Sequence, residues 1–513
     1  MNGQPNILFL LSDEHNFRYF SHLDPSTEGE PVHTPTFDAM AATSCVLDQT
    51  YCQMPLCTPS RLCMLTGRDV RGAGAWSNGS MLRPELPTLP GVMANAGYET
   101  CLVGKMHFGG NRQFGGFRHR PYGDMTGACG HQSDPIVPEH RHEDGMRHRT
   151  VDAGVTEIPE SLLQEQAVAR ESIAFLREHR YRNPGQPWFL CASFSRPHFP
   201  LTAPRRYFER YWPEGITRPK TGRTGDTVEH PMTLGMAKGF KVEDIEYDEM
   251  MKARAAYFAC VDYLDEVIGD MLASMNRDDL LENTIVIYTS DHGEMAGEHG
   301  MWWKNSWHEG CTRVPFFLQL PEHRSGEIKP SRLRTPSSLA DLFPTVCGLC
   351  GVESPAGLDG IDLSEAIRRG SEPESRAVFF DALIPRWGKG TEFRAVRDGK
   401  YKYVGFRNAP ELLFDLEADP MEQKNLATET TGEAEEALER FRRLVKETMD
   451  FEAIDGEREA DVQRARDASL SIPRGTGNTY ILPDGRLIDA DGKLYTPDVL
   501  AEDPSNVIAD WPE

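Results

Sequence analysis

Four apolar runs in this chain each stop at residues able to do chemistry. Ile7 to Leu11 ends in Ser12-Asp13-Glu14-His15, and Thr100 to Val103 runs into Gly104-Lys105-Met106-His107. Trp188 to Ser193 leads to Arg196-Pro197-His198, and Thr284 to Thr289 ends in Ser290-Asp291-His292-Gly293. Continuous runs of this length read as strands buried on both faces, as in a parallel sheet. Between them the spacing predicts amphipathic helices. Ser161 to His179 places Leu162, Ala169, Ile173 and Leu176 on one side, and Tyr247 to Met275 does the same with Phe258, Val261, Leu264, Ile268 and Met271. Strands alternating with helices imply an α/β fold with a mostly parallel central sheet flanked by helices. Ligands in such folds gather beyond the carboxyl ends of the strands, where these polar groups fall.

The pattern divides the chain into a catalytic domain at 1–375, a small subdomain at 376–455 and a tail at 456–513. In the second part, Phe393 to Arg397 and Tyr401 to Phe406 flank Asp398-Gly399 and predict a hairpin. Glu433 to Met449 carries Leu438, Phe441 and Leu444 on one helical side, which makes this an α+β subdomain. The tail is rich in Gly, Pro and Asp, yet it holds Tyr480, Ile481, Leu482, Leu487, Ile488, Leu494 and Tyr495. It is therefore expected to dock, across a subunit interface of a homo-oligomer.

Charge and cysteine content narrow the function classes. The 55 basic and 79 acidic residues give a formal charge of −24, which opposes nucleic acid, membrane headgroups and long polyanions. Mean hydropathy is −0.50, and no apolar stretch approaches the roughly 20 residues of a membrane helix. No basic segment precedes the first apolar run, so the expectation is a cytoplasmic protein. Eleven scattered cysteines fit reduced thiols better than a disulfide framework. Cys347 and Cys350 form a C-x-x-C, but they share a helical pattern with Leu342, Phe343, Val346 and Leu349, which points to packing.

The segment Pro55-Leu56-Cys57-Thr58-Pro59-Ser60-Arg61-Leu62-Cys63-Met64-Leu65-Thr66-Gly67-Arg68 concentrates the chemistry. Pro59 presets a turn or a first helical turn, and Ser60 to Thr66 can follow as helix with its N-terminus beside Cys57. Such a terminus offers free N–H groups to a tetrahedral anion, and Arg61 adds a fixed cation with several donors. Asp13, Glu14, Asp291 and His292 come from two strand ends, and the hard carboxylate oxygens among them suit a calcium or magnesium ion. Lys105 and His107 stand two apart, so an extended stretch would turn both to one side.

C-x-P-S-R followed by L-T-G-R resembles the signature of the type I sulfatases of the alkaline phosphatase superfamily. The resemblance extends from Asn6-Ile7-Leu8 to Leu412-Leu413-Phe414-Asp415-Leu416-Glu417-Ala418-Asp419-Pro420. It implies an alkaline-phosphatase-like fold and hydrolysis of a small organic sulfate ester. It further implies that Cys57 is oxidised by a formylglycine-generating enzyme and that the hydrated aldehyde is the nucleophile. Asp13, Asp291 and His292 match the family's metal ligands, with calcium the usual ion and magnesium or manganese as alternatives. Glu14 departs from the Asp or Gln more common at its position. By the same resemblance Lys105 contacts the sulfate, His107 holds a hydroxyl of the formylglycine, and His198 and Lys304 bind the bridging oxygen. The Met-Pro-Leu-Cys-Thr-Pro-Ser-Arg and Gly-Lys-Met-His stretches are similar to bacterial choline-sulfatase-like members.

Other readings stay open at this level. Phosphonate monoester or phosphodiester hydrolysis would fit the same clamp, and a binding protein with an unmodified Cys57 would keep the fold without the reaction. His119, His131, His140, His142 and His148 lie close in sequence but match no standard zinc spacing, so a polar loop over the pocket mouth is the better reading. Trp302 and Trp303 either pack or form an aromatic wall suited to a quaternary ammonium.

Overall fold

The computed structural model describes residues 3–109, 112–121, 148–428 and 431–467, with two short strands at 479–481 and 487–489. Seven strands form the central sheet: β1 (Asn6–Asp13), β2 (Cys45–Leu47), β3 (Glu99–Gly104), β4 (Trp188–Pro197), β5 (Thr284–Ser290), β6 (Phe316–Gln319) and β7 (Ser331–Leu333). Their spatial order is β7-β2-β6-β5-β1-β4-β3. The four apolar runs are the contiguous parallel strands β5, β1, β4 and β3, and only β6 runs antiparallel to its neighbours. Ile7 to Leu11 have at most 1% of their surface exposed, as two-sided burial requires. Each such side chain contributes roughly 1.5–3 kcal/mol of hydrophobic stabilisation.

The helices that cover the sheet include α1 (Cys57–Thr66), α2 (Gln164–Arg182) and α3 (Tyr247–Arg277). The second differs from the sequence expectation. A short 3-10 turn, Glu160–Leu162, precedes it, and Leu162 is 71% exposed instead of lying on the buried face. Periodicity alone could not see that the chain enters the helix only at Gln164. The cysteine pair 347/350 lies in the helix Leu342–Cys350 and is buried, and all ten described cysteines are free thiols. Among the described residues, no helix is long and apolar enough to cross a membrane.

The smaller sheet is antiparallel, with β8 (Val378–Ala382), β9 (Phe393–Asp398), β10 (Tyr401–Phe406) and β11 (Leu412–Asp415) in that order. The helix Glu433–Thr448 packs on it through Leu438, Phe441 and Val445. The small sheet is fixed to the large domain by buried charge. Lys402 on β10 is fully buried and donates to the Trp307 carbonyl and to Glu309, both at 3.0 Å. A following helix, Phe451–Asp467, runs across the 455/456 boundary placed by sequence and returns to the catalytic side. There Arg71 pairs with Glu457, Arg83 pairs with Asp461, and Trp76 Nε1 donates to Asp461 at 2.7 Å. Of the tail beyond, only the antiparallel pair Thr479–Ile481 and Leu487–Asp489 is described, and the expected subunit crossing lies outside the described residues.

Two backbone details aim the strand ends. The β1–β4 register shifts between Leu11 and Asp13, a bulge that sets Asp13 level with Pro197. Gly104 ends β3 with φ +97°, and a Cβ there would stand 2.0 Å from the Ser193 carbonyl oxygen. That close approach lets the chain turn Lys105 inward while its N–H still bonds Ser193.

Candidate active site

The helix α1 begins at Cys57 itself, one residue after an extended Leu56, so position 57 is the first helical residue and not merely its neighbour. No acidic side chain lies in its first turn, and Thr58 N–H is held at 3.1 Å by Asn78. All ten residues of this helix are buried. Its Ser60 hydroxyl donates to the Asp291 carbonyl, which docks the helix N-terminus on the end of β5.

Arg61 organises the centre. It is fully buried and donates from Nε to Asp291 and from Nη2 to Asp13, both at 2.8 Å. Its Nη1 donates to the Lys105 carbonyl at 2.7 Å and to Ser193 Oγ at 3.1 Å. Lys105 Nζ also reaches Asp13 at 2.9 Å. Burial would raise Asp13, but Lys105, His198, Arg61 and Lys304 together hold its carboxyl well below the usual range. Burial prevails at Asp291, which is pushed up to about 6 despite Arg61. Two backbone N–H groups, of Glu14 and His292, donate to Asp291 Oδ1 at 3.1 and 2.9 Å.

Around the Cys57 sulfur stand Asp13 Oδ1 at 3.7 Å, His292 Nε2 at 3.4 Å and Lys304 Nζ at 3.2 Å. Burial and Asp13 oppose ionisation of this thiol, yet Lys304, Lys105 and His292 outweigh them and hold it well below an ordinary cysteine. The ligand-type atoms of Asp13, Cys57, Asp291 and His292 all lie within 4.8 Å of one another. Two carboxylates, an imidazole and a fourth group converging in this way fit a divalent cation of the calcium, magnesium or manganese type.

Glu14 belongs to a different face of the same cluster. Its backbone is left-handed at φ 67°, and Oε2 accepts from Lys304 at 3.0 Å and faces His198 Nε2 at 3.4 Å. The Asp13, Glu14 and His198 atoms form a second group of possible ligands. Glu294 lies alongside, two residues after His292, and accepts from the Ala296 and Trp303 N–H groups. Burial and then the charge of Glu14 push Glu294 well above the usual carboxylate range. Sequence reasoning missed Glu294, although its place in Asp291-His292-Gly293-Glu294 was a usable signal.

His198 Nδ1 donates to the Phe199 carbonyl at 2.7 Å, which leaves the Nε2 lone pair facing the carboxylates. Burial, Lys105 and Lys304 push it down to about 4, so it is neutral at pH 7. Lys304 is the opposite case. Burial alone would lower it, but Cys57, Glu14 and Asp13 push its pKa up and keep it cationic. His107 corrects an expectation, because its φ of 57° breaks the extended geometry assumed for Lys105-Met106-His107. It meets α1 through its carbonyl, which accepts from Thr58 Oγ1 at 2.7 Å. His119 pairs with Glu99, at the opposite end of β3 from Lys105, while His131, His140 and His142 lie outside the described residues. Trp302 and Trp303 are each only 1% exposed, so packing is a large part of their role.

A buried polar group at a helix N-terminus, clamped by cations beyond the carboxyl ends of a parallel sheet, defines a hydrolase of alkaline-phosphatase-like fold acting on tetrahedral oxyanion esters. The chain belongs to the sulfatase family, and it is an enzyme that hydrolyses sulfate esters: the family model described as Sulfatase matches residues 5–352. A second, described as N-sulphoglucosamine sulphohydrolase, C-terminal, matches residues 297–448. Among curated relatives, choline-sulfatase of Rhizobium meliloti (strain 1021) is 31% identical over 476 residues, covering 90% of each chain. Arylsulfatase of Clostridium perfringens (strain 13 / Type A) is 28% identical, over 86% of this chain and 94% of that one. A solved protein in complex with its substrate D-glucosamine-2-N,6-O-disulfate aligns with TM-score 0.70 at 22% identity, over 89% of this chain and 98% of its own. Phosphonate monoester hydrolase of Agrobacterium radiobacter aligns with TM-score 0.67 at 22% identity, over 95% and 99%. These two share the fold.

Proposed function

We propose that Cys57 is the precursor of a formylglycine and that the mature enzyme cleaves a small organic sulfate monoester to alcohol and inorganic sulfate. The observation that carries this reading is the sulfur at the first residue of α1, ringed by Asp13, His292 and Lys304 within 3.7 Å. The sulfur marks where the oxygens of a hydrated aldehyde would stand. Asp13, Asp291 and His292 would hold a divalent cation, which when bound would withdraw charge from the ester oxygens. Glu14 fits better as the partner of Lys304 and His198 than as a fourth ligand in that group.

The roles of the chain's own groups follow from their places. The formylglycine, once formed, would supply a hydroxyl for attack on the ester sulfur, a new O–S bond forming as the bond to the leaving oxygen breaks. Lys304, the cation on that side, supplies positive charge and a proton to the departing alkoxide, and His198 orients it. In the reading the family resemblance gives, His107 would take the proton of the remaining hydroxyl as the C–O bond to sulfate breaks, and water would restore the hydrate. Arg61 and Lys105 hold Asp13 ionised and the helix N-terminus faces the sulfuryl oxygens throughout.

Mass spectrometry of the peptide holding Cys57, taken from protein co-expressed with a formylglycine-generating enzyme, tests the first half of the proposal. Aldehyde at position 57, together with sulfate release from an aryl sulfate that a chelator abolishes, is the expected result. A thiol at that position in fully active protein would refute it, and faster turnover of a phosphonate monoester would favour the rival chemistry.

A further inference from the structure

Most buried arginines of this molecule are spoken for. Arg61 holds Asp13 and Asp291, Arg254 pairs with Glu30 at 2.8 Å, and Arg394 pairs with Asp381 at 2.8 Å. Two arginines near the active site differ, Arg149 being half-buried and Arg386 exposed. Arg149, on the helical turn His148–Val151, and Arg386, in the loop after β8, make no ion pair and no side-chain hydrogen bond among the described residues.

Their positions are fixed by aromatic rings. The Arg149 guanidinium lies 3.4 Å from the Phe199 ring centroid and 5.3 Å from that of Trp303. Phe199 follows His198, and Lys304 Nζ lies 5.6 Å from the same ring, so Arg149 stands on the side from which the alcohol departs. Trp303 packs on Phe240 at 4.8 Å, Phe240 on Trp387 at 4.6 Å, and Arg386 lies 4.9 Å from the Trp387 centroid. Trp387 is anchored by its Nε1, which donates to the Asn305 carbonyl at 3.0 Å, next to Lys304. The result is a spine of three rings along one wall of the site, with a guanidinium at each end.

Burial pushes Arg149 down to about 10 against the opposing charges of Glu14 and Glu294, with Arg386 adding repulsion, and both arginines feel the charge at Cys57. Two guanidinium groups held by rings, with no carboxylate at ion-pair distance among the described residues, leave donors open to an anion. Resting on the sulfate ester reading above, we infer that Arg149 and Arg386 bind a second anionic group, carboxylate or sulfate, carried by the alcohol of the substrate. Phe240, Trp303 and Trp387 are buried and Arg149 covers the Phe199 ring, so this wall offers a quaternary ammonium like charge in place of an aromatic cage. The net charge of −24 keeps long polyanions away, which leaves a small dianionic ester as the substrate class.

The test uses the mature, full-length enzyme and three aryl sulfates that differ in one distal group: 4-sulfooxybenzoate, 4-sulfooxybenzenesulfonate and 4-sulfooxybenzamide. The first two carry a second negative charge and the third is neutral there. The expected wild-type result is a kcat/KM for at least one charged ester about tenfold or more above the amide, as a charge-assisted contact allows. In R149A and R386A that ratio falls toward one, through KM, whatever happens to the absolute rates, and R149K keeps part of it. Whichever charged ester leads identifies the group. Equal kcat/KM for all three in wild type overturns the inference, as does an unchanged ratio in both variants. If neither variant folds, the wild-type ratio decides alone. No sulfate release from any ester would instead remove the sulfatase reading beneath it.

Discussion

Replacing Arg61 by methionine gives a test of what stabilises the centre. Methionine keeps much of the volume but removes the charge and bonds to Asp13, Asp291, Lys105 and Ser193. The two carboxylates then face each other with ligand oxygens within 4.8 Å. At an effective dielectric of about 20 that repulsion is about 3.5 kcal/mol. Removing one partner from a buried ion pair costs roughly 3–5 kcal/mol. Lys105 still reaches Asp13, and Asp291 at about 6 can take a proton, so the loss should fall near 3 kcal/mol at pH 7. The assay is urea unfolding of wild type and R61M in chelator and again in millimolar calcium. A cation bound at about 100 times its Kd stabilises by about 2.7 kcal/mol, and the unneutralised carboxylates of the variant should gain more from it than wild type. R61M should therefore show its deficit mainly in chelator. A deficit under about 1 kcal/mol there, or one that calcium leaves unchanged, would refute the account of Arg61 and Asp13–Asp291 as one charge-balanced unit.

Two further outcomes follow from the charges around the site. K304A should lose activity in proportion to the leaving-group pKa of the alcohol, by about 10²–10⁴ for poor leaving groups and little for good ones. A uniform loss across a series of substituted aryl sulfates would assign Lys304 to sulfate binding instead. The pH prediction concerns His299, buried beside Glu298, Arg18, Lys402 and His308, where burial, against Glu298, pushes it down from 6.5 to about 4. Its folded pKa lies below the unfolded one, so the unfolded chain takes up the proton first as pH falls. The stability it protects is complete above pH 6.5 and is lost between 6.5 and 4, to a total of about 3 kcal/mol. H299N, which suits the left-handed backbone at φ 54°, should lose less stability than wild type between pH 7 and pH 4.5 in urea unfolding. Parallel losses in the two proteins would show that His299 carries none of the acid sensitivity.

Much of the centre was legible because it is coded locally. An apolar run long enough to be a buried strand, followed at once by Asp13, Lys105, His198 or Asp291, puts the chemistry at a strand end whatever the surroundings. The helix after Pro55-Leu56 was legible for the same reason, although its true start at Cys57 depends on Leu56 being held extended. Where single-residue backbone conformation decides direction, the sequence misled. Lys105 and His107 look like neighbours on one face until the left-handed φ of His107 turns the chain. Leu162 reads as part of a helical stripe, but it falls in the turn before the helix and faces solvent.

The sequence by itself determined which strands are buried, which ends they offer and which residue types meet there, because hydrophobic periodicity and motif spacing are properties of short segments. Only the tertiary structure decided who partners whom. Glu14 turns to Lys304 and His198, burial and Glu14 oppose the ionisation of Glu294, and Arg149 and Arg386 come from segments more than two hundred residues apart to flank one run of rings. Charge balance in a buried pocket depends on distances across the fold, and no local pattern records a distance.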